Sequence, residues 1–395
     1  MKVEEANAAP KILVWGTYDI GKPRTRILLE GLRLNGVDLV ECHASVWSGI
    51  EDKSQLIGWR KKIKVILSWI IAYPTLISRF MRLPRYQTVL VPYMGHLDVL
   101  LLWPFAKLKG SQVAWDIFIS LYNTIVEDRQ MFSNTHPVSR LIYVFEWLAS
   151  RAADRMLMDT RAHADYFVRR YHLPDERLGA VFVGAEVEHF PLLKPLGPKE
   201  SSEPITILFY GQFIPLHGIR TIVEAARELD DGTVRWVLIG RGQEEGAIRQ
   251  ELDANPVKHL EWLSWVRYQE LVDWIARADI CLGIFSKSEK AASVIPNKAF
   301  QVISSGRPLI TRDSPAIREL VSEDEPGIFL VSPEDSPALV DAIKRFRKER
   351  PNLVGRPLFE NLRKRISAQA TGVALCAELG LRYAPDKVMQ SGETD

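Results

Sequence analysis

The 395-residue chain has few cysteines and no long uncharged apolar run. Its three cysteines, Cys42, Cys281 and Cys376, are scattered, and none belongs to a CxxC pair. This usage favours structural thiols in a reducing compartment over a disulfide framework. The longest apolar candidate, Val65–Ser78, contains Pro74 and is shorter than the ~18–20 residues that a membrane-spanning helix needs.

The chain also begins without the apolar core of a signal peptide, since its first residues read MKVEEANAAPK. We therefore expect a cytoplasmic protein. The formal net charge is only +2, so the sequence lacks the basic excess of a dedicated nucleic-acid binder, and no nucleic-acid partner is expected. A chain of this length exceeds what one compact core usually serves, which predicts two domains.

Several motifs that carry chemistry are missing as well. The sequence has no HExxH, no Cys/His cluster at zinc spacing, no Walker A loop and no GxSxG. The run Gly240-Arg241-Gly242, followed by Gly246, is one residue too long for the dinucleotide fingerprint GxGxxG. No pair of acids suggests a metal site, so neither a metal nor a cofactor is predicted.

What the sequence does have is a regular alternation of short apolar runs and amphipathic segments. The first run is Lys11–Trp15, and the pattern restarts at Thr206–Tyr210. The alternation predicts an α/β protein with two Rossmann-like, doubly wound parallel-sheet domains. Pro191–Pro204, with four prolines, is the predicted linker. We predict an N-terminal domain over 1–195, a C-terminal domain over 196–360, and a terminal segment over 361–395 whose helix, Glu360–Leu381, returns to the first domain.

The stretch Ser286–Pro308 has the clearest chemistry. It follows an apolar run, Ile280–Phe285, and contains Pro296-Asn297-Lys298 before a helix-like segment that Gly306 ends. In an open α/β sheet, ligands bind beyond the carboxyl ends of the strands, and a helix N-terminus attracts anions. The stretch therefore predicts a phosphate site at Asn297 and Lys298.

Two glycine loops add to this site. They are Gly211–Gly218 (GQFIPLHG) and Gly240–Gln243 (GRGQ), and each follows a predicted strand. Glycine lets backbone approach a ligand closely, although plain turn geometry accounts for each loop equally well.

The order of these pieces resembles the family 4 retaining glycosyltransferases, which have the GT-B architecture of two facing nucleotide-fold domains with a cleft between them. The resemblance is good over Ile205–Val331 and looser over residues 11–184. It rests on Val237–Leu252 (VLIGRGQEEGAIRQEL), on Leu260–Phe285 (LEWLSWVRYQELVDWIARADICLGIF), and on the run PNKAFQ.

The resemblance implies a site for a nucleoside-diphosphate sugar on the C-terminal domain. It implies these donor-binding positions: Gly211, Gln212, His217, Gly240, Arg241, Gly242, Trp265, Asn297 and Gln301, together with Gly16 of the N-terminal domain. Gln212 and His217 stand where the family usually has Arg and Lys, and Ser293 and Gln301 stand where it has two glutamates. Lys298 is then the main catalytic candidate, and Glu289 is the candidate replacement for the missing carboxylate.

On the N-terminal domain, the resemblance implies cleft positions at the first loop and at the ends of two later strands. These are Gly16, Tyr18, Asp19, His96 and Asp116, with Asp116 a third catalytic candidate. Asp116 is equally well explained as a surface-turn acid, and His96 is better explained by capping or packing.

The expected function is therefore transfer of a sugar from a UDP- or GDP-sugar, with retention and without a metal, to a lipid-linked or saccharide acceptor. Two alternatives remain open, a non-catalytic nucleotide-sugar-binding subunit and a nucleotide-sugar epimerase. The first follows from the replacement of both glutamates.

A basic aromatic segment, Leu56–Arg85, bears on the acceptor. It has seven Lys or Arg residues and no acid, interleaved with Trp59, Trp69, Tyr73 and Phe80. Such a segment suits a membrane surface, which places the protein at the inner face of the plasma membrane. A core helix with a solvated basic face is the alternative.

Overall fold

The structure, a computed structural model, describes residues 10–46, 59–200 and 202–381, and for residues 59–67 it describes the backbone alone. The chain forms two compact units. The first contains the described residues of Met1–Tyr122, Phe132–Val183 and Ala368–Asp395. The second contains those of Asn123–Met131 and Gly184–Ser367.

The first unit is built on a six-stranded parallel sheet. Its strands are β1 (Lys11–Gly16), β2 (Asp38–His43), β3 (Thr88–Val91), β4 (Gln112–Asp116), β5 (Arg155–Met158) and β6 (Leu178–Ala180). They lie in the order β2-β1-β3-β4-β5-β6. The connection from β1 to β2 moves towards one edge of the sheet, and the later connections between its strands move towards the other edge. Because crossovers between parallel strands are right-handed, the helix between β1 and β2 lies on one face and the helices of the later connections lie on the opposite face.

Six helices cover the two faces of this sheet. They are α1 (Pro23–Leu34), α2 (Trp59–Arg82), α3 (His96–Lys109), α4 (Pro137–Ala152), α5 (Arg161–Tyr171) and α14 (Ala368–Glu378). Side chains of α2 to α5 enter one apolar cluster, and those of α1 and α14 enter the cluster on the opposite face. No helix in the described part of the chain combines the length and the apolar character needed to cross a membrane.

Two glycines let α1 and α14 approach closely. A Cβ atom on Gly31 would lie 2.4 Å from the carbonyl oxygen of Ala368, and one on Gly372 would lie 2.0 Å from the carbonyl oxygen of Gly31. Asn35 and Gln369 add side-chain hydrogen bonds across the same contact. The end of the described chain is therefore an integral part of the first unit.

The second unit repeats the architecture. Its strands are β7 (Ile205–Tyr210), β8 (Val234–Ile239), β9 (Leu260–Leu263), β10 (Ile280–Leu282), β11 (Leu309–Arg312) and β12 (Ile328–Val331), in the order β12-β11-β10-β7-β8-β9. Its helices are α6 (Ile219–Glu228), α7 (Glu245–Ala254), α8 (Leu271–Arg277), α9 (Glu289–Ser293), α10 (Asn297–Ser304), α11 (Pro315–Leu320), α12 (Ser336–Leu353) and α13 (Glu360–Arg365). A π-helical turn, Asn123–Asp128, also belongs to this unit.

The division of the chain differs from the predicted one in three places. Asn123–Met131 belong to the second unit, although the predicted N-terminal domain contains them. The units separate at Val183, because the proline-rich segment is hydrogen-bonded to the second unit: Ser304 donates to the Phe190 carbonyl, and Arg307 donates to the Lys194 carbonyl. The predicted single helix Glu360–Leu381 is two helices, α13 and α14, which belong to different units.

A buried ion pair joins the strand ends of the first unit. Asp116, at the end of β4, is fully buried and accepts hydrogen bonds from Arg24 of α1, the shortest at 2.7 Å. The same guanidinium donates to the carbonyl oxygens of Val181 and Met158 at 2.5 and 3.3 Å. Burial raises the pKa of the Asp116 carboxyl, whereas the Arg24 charge and hydrogen bonds oppose that rise.

We expect Asp116→Ala to lower the free energy of unfolding by ~3–5 kcal/mol, because Arg24 would stay buried without its counter-charge. Urea denaturation measures this loss. The matched control is Asp38→Ala, which removes an exposed pair with Lys11 and should cost less than ~1 kcal/mol. Equal losses in the two variants would contradict the structural role of the Arg24–Asp116 pair.

Candidate active site

Lys298 is a buried lysine at the start of α10. Its side chain is 5% exposed, its Nζ lies 3.7 Å from the centroid of the Phe209 ring, and it donates to the Gly283 carbonyl at 3.4 Å. No carboxylate in the described part of the chain lies within ion-pair distance of it. Burial holds the pKa of the Lys298 ammonium well below its usual range. A bound anion would offset this cost, since an opposite charge favours the protonated form.

His217 lies beside this lysine, in the loop after β7. Its Nδ1 hydrogen-bonds the Gln212 carbonyl, and its ring centroid is 5.6 Å from that of Phe209. Burial lowers the pKa of His217 well below its usual range, and the positive charges of Lys298 and Lys290 lower it further. The ring is therefore neutral in the free protein and is expected to gain a proton when an anion arrives.

The two glycine loops meet at this point but serve different purposes. A Cβ atom on Gly211 would lie 3.0 Å from Lys298 Nζ and 3.1 Å from His217 Cε1, so the missing side chain keeps both groups accessible. A Cβ atom on Gly240 would lie 1.8 Å from the Gly211 carbonyl oxygen, and one on Gly242 would lie 2.6 Å from a backbone oxygen of the same loop. Gly240 and Gly242 therefore let the loops pack together, and their contact with a donor stays a prediction.

Other predicted donor positions are solvent-exposed around the same loops. Gln212, Arg241 and Asn297 have exposed side chains, and Trp265 is 60% exposed. Their contact with a donor stays a prediction.

Gln301 is already hydrogen-bonded within the protein. Tyr210 donates to its Oε1 at 2.9 Å, and its Nε2 donates to the Tyr268 hydroxyl at 3.3 Å. Tyr268 in turn donates to Glu186 at 2.8 Å. Sequence reasoning missed Tyr268 and Glu186. Tyr268 stands three residues after Trp265, in a segment the resemblance covers, but no local signal marks Glu186.

The segment that begins at Glu289 forms a short helix, α9. Ser288 caps it by accepting from the Ala291 N–H, and an acid in the first turn suits the helix dipole. Glu289 itself is exposed. Ser293 is buried and donates to the Lys290 carbonyl at 3.1 Å.

A second buried lysine lies in α9 and was also missed. Lys290 is 9% exposed, donates to Thr124 Oγ1 at 2.9 Å and lies 3.5 Å from a carboxylate oxygen of Asp128. Burial raises the pKa of the Asp128 carboxyl, and the Lys290 charge counteracts that rise. Of the two buried lysines, Lys290 is thus neutralised by an acid and Lys298 is not.

The candidates from the first loop are engaged inside the first unit. A Cβ atom on Gly16 would lie 2.7 Å from Asp98 Oδ2, so this glycine accommodates a neighbouring carboxylate. Tyr18 is buried and donates to Glu41 at 2.6 Å. Asp19 accepts from the Gly21 N–H at 2.9 Å.

His96 is likewise internal. It is buried, its Nδ1 contacts the Met94 carbonyl, and its Nε2 lies 3.0 Å from Glu146. Asp116 is fully buried against Arg24, as described above. Both side chains thus make internal contacts of the fold, and the predicted cleft role of His96 and catalytic role of Asp116 stay predictions.

Within the described ranges, no group of three or more His, Cys, Asp or Glu side chains is arranged to hold a metal ion.

Part of the chain matches known sequences. Residues 204–349, which include Lys298 and His217, match the family model described as "Glycosyl transferases group 1". Chitobiosyldiphosphodolichol beta-mannosyltransferase of Eremothecium gossypii is 27% identical over 219 residues, which cover 47% of this chain and 44% of that protein. The match thus spans less than half of that relative's length.

Solved structures share the fold. Sucrose-phosphate synthase from Thermosynechococcus elongatus matches with a TM-score of 0.68 at 15% identity, covering 94% of this chain and 98% of that one. Anabaena HepE in complex with UDP matches with a TM-score of 0.64 at 11% identity, covering 94% and 100%. The predicted α/β class with two doubly wound parallel sheets is confirmed.

The two buried lysines predict opposite effects on stability. Lys298→Met should leave the free energy of unfolding unchanged or raise it by up to ~4 kcal/mol, because methionine keeps the packing on Phe209 and removes an unpaired charge. Lys290→Met should lower it by ~3–5 kcal/mol, because Asp128 would lose its counter-charge. Urea denaturation of both variants tests this contrast.

The sign of the pH dependence follows from the lowered pKa of Lys298. Between its folded value and the unfolded value of ~10.4, the unfolded chain binds the extra proton, so the stability of the wild type rises with pH. The free energy of unfolding of Lys298→Met minus that of the wild type should therefore fall from neutral pH towards pH ~10. A difference that rises with pH would contradict the burial of an unpaired lysine.

Proposed function

We propose that the protein is a glycosyltransferase that binds a nucleoside-diphosphate sugar on its second unit. The observation that carries the proposal is the buried Lys298 ammonium, which has no acid partner in the described chain and lies beside His217 and Gly211. The family-model match over residues 204–349 supports the same reading.

The chemistry requires positive charge at this place. Transfer breaks the bond between the anomeric carbon and the donor diphosphate, forms a bond to an acceptor oxygen, and releases the proton of that hydroxyl. Negative charge builds on the departing diphosphate, and Lys298 and protonated His217 would stabilise it. Because these groups supply the charge, we propose transfer without a metal or another cofactor.

The finer features rest on resemblance. The Pro-Asn-Lys run and Gln301 support a family 4 enzyme that retains the anomeric configuration. A UDP- or GDP-sugar is the proposed donor, and the UDP bound by HepE supports the uridine form. NMR of the product's anomeric centre tests retention.

The acceptor is proposed to be lipid-linked or a saccharide. The name of the Eremothecium gossypii relative gives a dolichol-linked compound as its substrate. The basic segment Leu56–Arg85 supports contact with a membrane surface, so we propose a cytoplasmic protein at the inner face of the plasma membrane. Residues 56–58 lie outside the described residues, and Trp59–Arg82 form α2.

A second candidate is a nucleotide-sugar-binding protein without turnover. It is favoured because Ser293 and both polar groups of Gln301 are hydrogen-bonded within the protein, where the family has two acids.

Donor turnover separates the candidates. Purified protein with a panel of UDP- and GDP-sugars, with and without membrane extract as the acceptor source, should consume one donor. Lys298→Met should lower that rate by at least ~100-fold, the effect of removing a group that stabilises a developing oxyanion. The matched control, Lys344→Met, changes an exposed lysine of the same unit and should leave the rate unchanged.

Three results would revise the proposal. Near wild-type turnover in Lys298→Met would contradict the assigned role of Lys298. Binding of a donor by the wild type without any turnover would favour the second candidate. Conversion of the donor to an epimer without an acceptor would show an epimerase.

A further inference from the structure

Three neighbouring helices of the first unit present one continuous outer surface. Helices α2, α3 and α4 lie side by side on the same face of the sheet, because each lies in a crossover connection that moves in the same direction across the sheet. Their inner sides enter one apolar cluster through Tyr73, Leu76, Phe80, Val99, Leu102, Ala106, Ala149 and Ala152. We call the outward side of these helices the three-helix face.

The three-helix face carries large apolar side chains in solvent. Their exposed fractions run from 42% to 77%, and they are Ile70, Ile71, Met81, Trp103, Leu108, Leu141, Val144 and Leu148. On α4, Leu141, Val144 and Leu148 have the spacing i, i+3, i+7, so they form a stripe along the side that faces away from the core. Exposed apolar patches of this kind mark interaction surfaces.

The charge of these helices has a single sign at the surface. Together they contain ten basic residues, namely Arg60, Lys61, Lys62, Lys64, Arg79, Arg82, Lys107, Lys109, Arg140 and Arg151. The structure describes the side chains of the last six. Their only acids are Asp98 and Glu146, and both are buried.

Both acids are turned inward and engaged there. Asp98 accepts from the Tyr73 hydroxyl at 2.9 Å and from the Thr17 N–H at 3.1 Å. Glu146 accepts from Ser120 Oγ at 2.7 Å and from the Tyr171 hydroxyl at 2.5 Å. The three helices therefore expose apolar and basic side chains and no acid of their own, although the whole chain is nearly neutral at +2. One of these basic groups, Lys107, is paired at 2.7 Å with Asp154, which follows α4.

We propose that the three-helix face docks on a bilayer of anionic lipids. Its leucine and isoleucine side chains would enter the boundary between headgroups and acyl chains, and its exposed arginines, Arg79, Arg82 and Arg140, would contact the lipid phosphates. The proposal deepens the membrane contact of α2 proposed above and rests on it. It adds α3 and α4, whose contribution the sequence analysis did not foresee.

Vesicle co-sedimentation of the full chain tests this surface. Vesicles of phosphatidylglycerol and phosphatidylcholine should bind the protein at low salt, pure phosphatidylcholine vesicles should bind it far less, and added salt should weaken binding to the anionic vesicles. The double variant Leu141→Asp, Leu148→Asp should lower the partition coefficient at least ~100-fold, since each buried leucine is worth about tenfold or more.

The matched control is Leu34→Asp. Leu34 is 39% exposed and ends α1, on the opposite face of the sheet, so this variant should bind vesicles like the wild type. A second variant, Arg79→Glu, Arg82→Glu, alters only exposed charges and should lower the partition coefficient at least tenfold. This variant tests the proposal by itself if the double leucine variant fails to fold.

A failure of the vesicle experiments can be distinguished from a failure of the proposed donor site. A thermal shift with UDP, which reports on the second unit, should be the same in all these variants. Equal binding to neutral and anionic vesicles, or binding unchanged by both double variants, would overturn the proposal. Self-association in sedimentation velocity that the leucine variant abolishes, without vesicle binding, would overturn it in favour of a second copy of the chain.

Discussion

The burial of the Lys298 amine, with no carboxylate of the described residues within ion-pair distance, is the constraint on which the second unit's site depends. Burial disfavours the charged form, so the free protein carries an unsatisfied cost at this position. The loop after β7 is shaped around it, since Gly211 leaves space beside the amine and His217 packs on the same phenylalanine ring. An incoming diphosphate would supply the missing charge. The buried lysine lowers the stability of the free protein, and the bound ligand removes that cost, as is common at functional sites.

In the first unit, by contrast, the buried charged groups have partners within the protein. Arg24 and Asp116 neutralise each other, and Glu146 is surrounded by hydrogen-bond donors that include His96. The pKa of the Glu146 carboxyl is raised by burial, but the His96 hydrogen bond and the other donors outweigh that effect and leave it below its usual value. Such satisfied groups specify a rigid fold and leave no charge for a ligand.

Periodicity predicted the fold because both halves alternate short strands and helices, beginning at Lys11–Trp15 and Thr206–Tyr210. It failed at the chain end, where the segment after Glu360 belongs to two units. Lys298 was predictable because a Pro-Asn-Lys run before a helix is a local signal. The partners of Lys290 were not, since Thr124 lies 166 positions away along the chain. The partner of Asp116 was not predictable for the same reason, because nothing near Asp116 in sequence identifies Arg24.

Isothermal titration calorimetry with UDP tests the central claim most directly. Comparing buffers of different ionisation enthalpy at about pH 8, where the nucleotide is fully ionised, gives the number of protons taken up on binding. Because burial lowers the pKa of Lys298 and His217 and an anion raises both, binding should take up protons in the wild type and in Lys344→Met, and fewer in Lys298→Met. Binding without proton uptake, or with the same uptake in Lys298→Met, would contradict the account.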